Sequence, residues 1–148
     1  SASFVCPVIR CFSDASWAIG PTRRSTSGGA LFIDDVALGH WSRTQPGTVS
    51  MSSCEAELSA LWTCGQEVRF LSNVLNEFGI RHRCEIMTDS SSALAVRHKK
   101  GVGRQKHLEL RYLKTSLDVA DLMTKFMARA QLKQLAWMMH LHGLDDPE

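Results

Sequence analysis

Two glutamates stand one residue apart in MSSCEAELSAL, Met51 to Leu61, where the sequence takes on helical periodicity. A carboxylate at the margin of an apolar stripe is costly to desolvate unless it meets a cation, a metal or a hydrogen-bond donor. Which glutamate faces inward therefore matters. At ~100° per residue, Glu57 lies about 60° from the centre of the Leu58/Leu61/Val68 stripe and Glu55 about 100°. Glu55 also has local work, since Ser52-Ser53-Cys54-Glu55 is a capping box in which the two end residues satisfy each other's backbone amides. Glu57 has no such task, so it is the site candidate, against the plainer reading of a solvated first-turn acid. Asp14 in CFSDASW and Asp89 in IMTDSSSAL each end a strand-like run, and the carboxyl ends of strands are where ligands gather in α/β sheets. Their flanking serines leave room for a charged ligand. Asp121 in LDVADLMTK falls in the first turn of a short helical piece, on one face with Thr124 and Lys125. Its plainer reading is an acid placed favourably near a helix amino terminus.

The elements that must position these acids follow from pattern. VIRCF, GALFI and VALGHWS, within Val8 to Ser42, are short, β-rich and separated by turn-like segments, which predicts three antiparallel strands. From Ser52 the period becomes helical: Leu58, Leu61, Val68, Leu71, Leu75 and Phe78 form a stripe that stops at Gly79. CEIMTD, ending at Asp89, predicts a fourth strand, and SSSALAVRHKK opens with serines that cap a second helix. KHLELRYL (Lys106 to Leu113), LDVADLMTK (Leu117 to Lys125) and RAQLKQLAWMMHLHGL (Arg129 to Leu144) predict three more helical pieces. With 148 residues and 44% hydrophobic content, one α/β domain is expected, 1–148. Five cysteines without a C-x-x-C pair read as reduced thiols, and no apolar run reaches membrane-spanning length, so an intracellular soluble domain cut from a longer protein is expected. The net charge is only +2, but RHKKGVGRQKH, Arg97 to His107, gathers five Lys and Arg without an acid. Phosphate-bearing partners fit such a run.

Four acids in the order Asp, Glu, Asp, Asp, carried by SDASWA, RRSTSGGALF, SMSSCEAEL, TDSSSAL, KHLELRY and VADLMTK between Ser13 and Lys125, resemble the ribonuclease H family. The nearer resemblance is to the ribonuclease H domain of copia-type LTR retrotransposon polyproteins. It implies a ribonuclease H-like mixed sheet, three antiparallel strands followed by parallel ones, flanked by helices. It also implies an endoribonuclease that hydrolyses the RNA strand of RNA/DNA hybrids during reverse transcription, with Asp14, Glu57, Asp89 and Asp121 as catalytic metal ligands. Two Mg²⁺ ions ~3.5–4 Å apart can activate a water and relieve charge on a phosphodiester. Mg²⁺ takes hard oxygen ligands, whereas histidine and cysteine select other metals, and Mn²⁺ is expected to substitute. An adjoining reverse transcriptase domain, no membrane, and a cytoplasmic virus-like particle or the nucleus are the expected partners and location.

Substrate contact is expected through the minor groove, where RNA shows 2′-hydroxyls, and through the backbone of the DNA strand. Ser16, Ser53 and Ser91 lie beside the acids, and Arg24, Thr26, Arg104, Lys106 and His107 are placed to hold the backbone. For each, a turn or cap role is the alternative, and His107 reads equally as a helix cap. A DDE-type integrase uses similar chemistry, but there the glutamate comes last, whereas here it comes second. The remaining rival is a catalytically inactive hybrid-binding or structural module of the same fold. One misfit stands out: between KHLELRYL and LDVADLMTK the family's fifth strand has no room. This predicts a fifth strand missing or disordered, and chain left out between about Leu113 and Lys114.

Overall fold

The structure is a computed structural model and describes residues 6–17, 24–46, 52–100, 108–113, 120 and 124. Its elements run β1 (Val8–Ser16), β2 (Thr26–Ile33), β3 (Val36–Thr44), α1 (Ser53–Glu77), β4 (Arg83–Thr88), α2 (Ser91–Lys100) and β5 (Leu108–Tyr112). They form one five-stranded sheet in the order β3-β2-β1-β4-β5. The pairs β1/β2 and β2/β3 are antiparallel, while β4 joins β1 and β5 joins β4 in parallel. The mixed α/β sheet expected from the pattern is therefore present.

The β2–β3 hairpin forms because the chain can turn tightly at Asp34. Asp34 takes a φ of 49°, a left-handed conformation that aspartate tolerates better than most residues. Its amide donates to the Val8 carbonyl and its Oδ1 accepts from the Val8 amide, both at 2.9 Å, which fastens the β2–β3 turn to the start of β1. Farther along, the Trp41 ring lies over Gly29, where a Cβ would sit 2.1 Å from Cζ2 of the indole. Only glycine fits beneath that ring.

The fifth strand corrects two expectations. Leu108–Tyr112, expected to be helical, is β5 itself, so the strand thought missing is present. Its sequence alternates: Leu108 and Leu110 pack against the core, while Arg111 reaches Glu85 and Glu109. Period-2 alternation beside the free edge of β4 makes a strand. The supposed omission of chain between Leu113 and Lys114 is a separate expectation, and Lys114 lies outside the described residues. The helical pieces expected at 117–125 and 129–144 also lie outside them, apart from Ala120 and Thr124.

Helix α1 crosses the sheet as one long element. Ser52 caps it, its Oγ accepting from the Glu55 amide at 3.2 Å, and Gly79 ends it at φ 69°. Its buried line is Ala56, Ala60, Cys64 and Val68, four residues apart each time. Leu61, Leu71 and Leu75 pack beside it as expected, but Leu58 (36% exposed) and Phe78 (76%) face outward. Along this line Cys64 and Val68 meet Ile9, Cys11, Cys84 and Ile86 to form the main core. At the amino-terminal end Ala56 and Ala60 meet Ala15. Small side chains there let the first turns of α1 approach the end of β1 closely. All five cysteines are free thiols, and burial raises the Cys84 pKa above its ordinary value against an opposing Ser72 hydrogen bond. No helix among the described residues is long and apolar enough to cross a membrane.

Candidate active site

The close approach of α1 to β1 has a chemical consequence. Asp14 lies near the end of β1, Glu57 in the second turn of α1, and Asp89 directly after β4. Because β4 runs parallel to β1, with Ser13 opposite Thr88, the two strands deliver Asp14 and Asp89 to the same edge. The alanine contact brings Glu57 to them. One oxygen from each of the three carboxylates lies within 4.8 Å of the others, although the residues span 75 positions of sequence. Asp14 is 1% exposed, and Glu57 and Asp89 are partly buried. Glu55 is exposed on the capping turn and outside this cluster, whereas the half-buried Glu57 belongs to it.

Three ionised carboxylates at this range repel one another by about 3 kcal/mol per pair at an effective dielectric near 20. A cation among them would relieve that repulsion. The donor set is all carboxylate oxygen, which suits a hard divalent ion such as Mg²⁺ or Mn²⁺ and disfavours softer metals that take nitrogen or sulfur. The residues present therefore fit the metal that the resemblance implies.

Supporting contacts hold the three elements in place. Gln45, buried just past β3, donates from Nε2 to Ser27 Oγ and to the Ala56 carbonyl, both at 2.8 Å. It thereby ties the sheet to the residue preceding Glu57. The Ser90 amide donates to Thr88 Oγ1 at 3.1 Å, and Ser90 Oγ accepts from the Ala93 amide at 3.2 Å. That turn fixes where Asp89 leaves β4. The Thr124 hydroxyl donates to Asp14 Oδ2 across 110 residues of sequence. Neither Gln45 nor Thr124 was a sequence candidate, although Thr124 shares a predicted helix face with Asp121.

The other candidates divide. Ser16 and Thr26 are cross-strand partners at the same end of the sheet as Asp14, and Arg24 is exposed two residues before Thr26. Ser53 and Ser91 are exposed first residues of α1 and α2, near Glu57 and Asp89 in sequence. Asp121, Arg104, Lys106 and His107 lie outside the described residues. Trp41 is packed against the core.

No family model matches the chain. It is 25% identical, over 155 residues, to the retrovirus-related Pol polyprotein from transposon TNT 1-94 of Nicotiana tabacum, an alignment covering 93% of this chain and 12% of that polyprotein. Among solved structures it is similar to LC11-RNase H1 in complex with an RNA/DNA hybrid, with a TM-score of 0.55 and 16% identity over 80% of this chain and 93% of that one. A second structure of LC11-RNase H1, isolated from compost by a metagenomic approach, gives a TM-score of 0.51 and 19% identity over 80% and 92%. The fold is that of the ribonucleases H, and the sequence is related to a retrotransposon Pol polyprotein.

Proposed function

We propose that this chain is the ribonuclease H domain of a retroelement polyprotein, a metal-dependent endoribonuclease that hydrolyses the RNA strand of RNA/DNA hybrids. The observation that carries this reading is the meeting of Asp14, Glu57 and Asp89 within 4.8 Å at one edge of a ribonuclease H fold. The sequence alone places the same three acids on strand ends and a helix face. A likeness in fold alone does not carry an activity, but a site built from the expected residues supports one.

In this reading Asp14, Glu57, Asp89 and Asp121 hold Mg²⁺, with Mn²⁺ able to replace it. When bound, the metal supplies Lewis-acid activation of water and charge neutralisation at the scissile phosphate. The chain's own task is to present acceptor oxygens in fixed positions at the end of the sheet where β1 and β4 finish. Asp14 is the central ligand, because it is the most deeply buried of the three clustered acids. Ser16, Thr26 and Arg24 on one side, and Ser53 and Ser91 on the other, are positioned to meet sugar and phosphate. Arg104, Lys106 and His107 extend that contact along the backbone. The parent protein joins this domain to a reverse transcriptase and works in the cytoplasm, within a virus-like particle, or in the nucleus.

The test is a cleavage assay with the RNA strand labelled, in Mg²⁺, in Mn²⁺ and with chelator, beside RNA duplex and DNA duplex controls. Cleavage confined to the hybrid, dependent on metal and leaving a 5′-phosphate on the downstream fragment, is the expected result. Hybrid binding without cleavage in either metal would replace this reading with the inactive binding module.

A further inference from the structure

Gln45 is 8% exposed and directly follows the last residue of β3. Its amide Nε2 carries two hydrogens, and two acceptors face it at 2.8 Å, Ser27 Oγ on β2 and the Ala56 carbonyl on α1. A carbonyl can only accept, so the nitrogen and not the oxygen of the side-chain amide must point that way. The Gln45 backbone is fixed as well, its amide donating to the Ser25 carbonyl at 2.8 Å. Gln45 is therefore a crossbar between sheet and helix, and what it spans is specific. Ser27 is the cross-strand partner of Ala15, and Ala15 packs against Ala56 and Ala60. Asp14 immediately precedes Ala15, and Glu57 immediately follows Ala56. Each of these two clustered acids is one residue away from the alanine contact that the crossbar clamps.

We infer that Gln45 is a positioning residue for the metal centre: by clamping Ala56 to β2 it sets the separation between Glu57 and Asp14 at which a divalent cation is shared. The inference rests on the metal-dependent reading above and adds to it a residue outside the ligand set, one that acts through the backbone of α1. Contact among alanines permits a close approach but is non-directional, so by itself it leaves α1 free to slide over the sheet. Two hydrogen bonds of defined length and angle remove that freedom. A metal site needs it removed, because productive ligand positions are held to within about 0.5 Å. The competing role is plain stability, a buried amide that only holds sheet and helix together. The two differ in what they change. A tie affects the melting temperature, whereas a positioning contact also affects metal affinity in the folded protein.

The experiment compares wild type with three variants. Gln45→Met keeps the side-chain length and removes both donors, Ser27→Ala removes one acceptor, and Glu85→Ala weakens the sheet through a different contact. Mn²⁺ binding is measured by calorimetry without nucleic acid, beside the melting temperature, and the Mg²⁺ dependence and KM of hybrid cleavage are measured in parallel. The expected result for Gln45→Met is about tenfold weaker Mn²⁺ affinity and a similarly raised Mg²⁺ midpoint, with hybrid KM unchanged, the low end of the range for partners of metal ligands. Ser27→Ala should fall between wild type and Gln45→Met, and Glu85→Ala should melt earlier yet bind Mn²⁺ like wild type. Wild-type Mn²⁺ affinity in folded Gln45→Met overturns the inference and leaves the proposed function standing. So does an equal loss of affinity in Gln45→Met and Glu85→Ala, which would make the loss a consequence of stability alone. Should Gln45→Met fail to fold, Ser27→Ala decides in its place by the same two criteria. A wild-type protein that binds no Mn²⁺ and cleaves no hybrid overturns the proposed function, and this inference with it.

Discussion

Two buried acids on adjacent strands sit in opposite company. Glu85 on β4 is 3% exposed and is held by Arg10 at 3.1 Å and Arg111 at 3.3 Å, with Arg111 also reaching Glu109 at 3.2 Å. Arg10 and Glu85 face each other in the β1/β4 register, so this charge is neutralised by its own sheet. Asp14 on β1 is buried as deeply but is grouped with two further carboxylates. Burial of an acid therefore does not mark a site. Gathering acids together does, because folding alone gains nothing from bringing like charges to within 4.8 Å.

The contrast breaks most sharply at Asp89. Asp89→Asn keeps the shape and removes one crowded charge, so hybrid cleavage should fall more than about a hundredfold, a loss of roughly 2.7 kcal/mol in transition-state stabilisation. The melting temperature should stay level or rise, which a thermal scan of the metal-free protein checks. Glu85→Ala should behave in the reverse way. It removes the acid between two partly exposed arginines, so stability should fall by about 1–3 kcal/mol in denaturant unfolding while cleavage per folded molecule stays near wild type. If Glu85→Ala instead silenced a fully folded protein, the division between structural and functional acids would be wrong.

Two smaller effects sharpen how the site end is built. Gly29→Ala must push the Trp41 ring aside, a change expected to cost about 1–3 kcal/mol, read as a lower denaturation midpoint. Ser52→Ala removes the cap of α1 and should cost about 1 kcal/mol by the same measurement. Neither should affect cleavage as Asp89→Asn does.

Much of this was legible in the sequence because local chemistry decided it. Ser52 and Gly79 bracket α1, alternation marks the early strands, and Asp14 and Asp89 stand at strand ends whatever the rest of the chain does. The misses needed the tertiary structure. Leu58 outranks Ala56 in hydrophobicity, yet Ala56 and Ala60 are buried because the backbone of α1 comes close to Ala15, where only small side chains fit. Leu108–Tyr112 alternates as a strand should, but what makes it one is the edge of β4 beside it. Gln45 carried no signal, since its partners lie 18 and 11 residues away and appear only once β3, β2 and α1 meet.

Glu55 and Glu57 divide capping from proposed metal binding within the first turns of α1, and one experiment tests that division. Wild type, Glu55→Gln and Glu57→Gln are compared for cleavage of a labelled RNA/DNA hybrid in Mg²⁺, each with and without chelator. The expected result is metal-dependent cleavage by wild type and Glu55→Gln, and none by a folded Glu57→Gln. Cleavage that survives in Glu57→Gln but is lost in Glu55→Gln, or that ignores the chelator, would contradict the assignment of Asp14, Glu57 and Asp89 as the metal site.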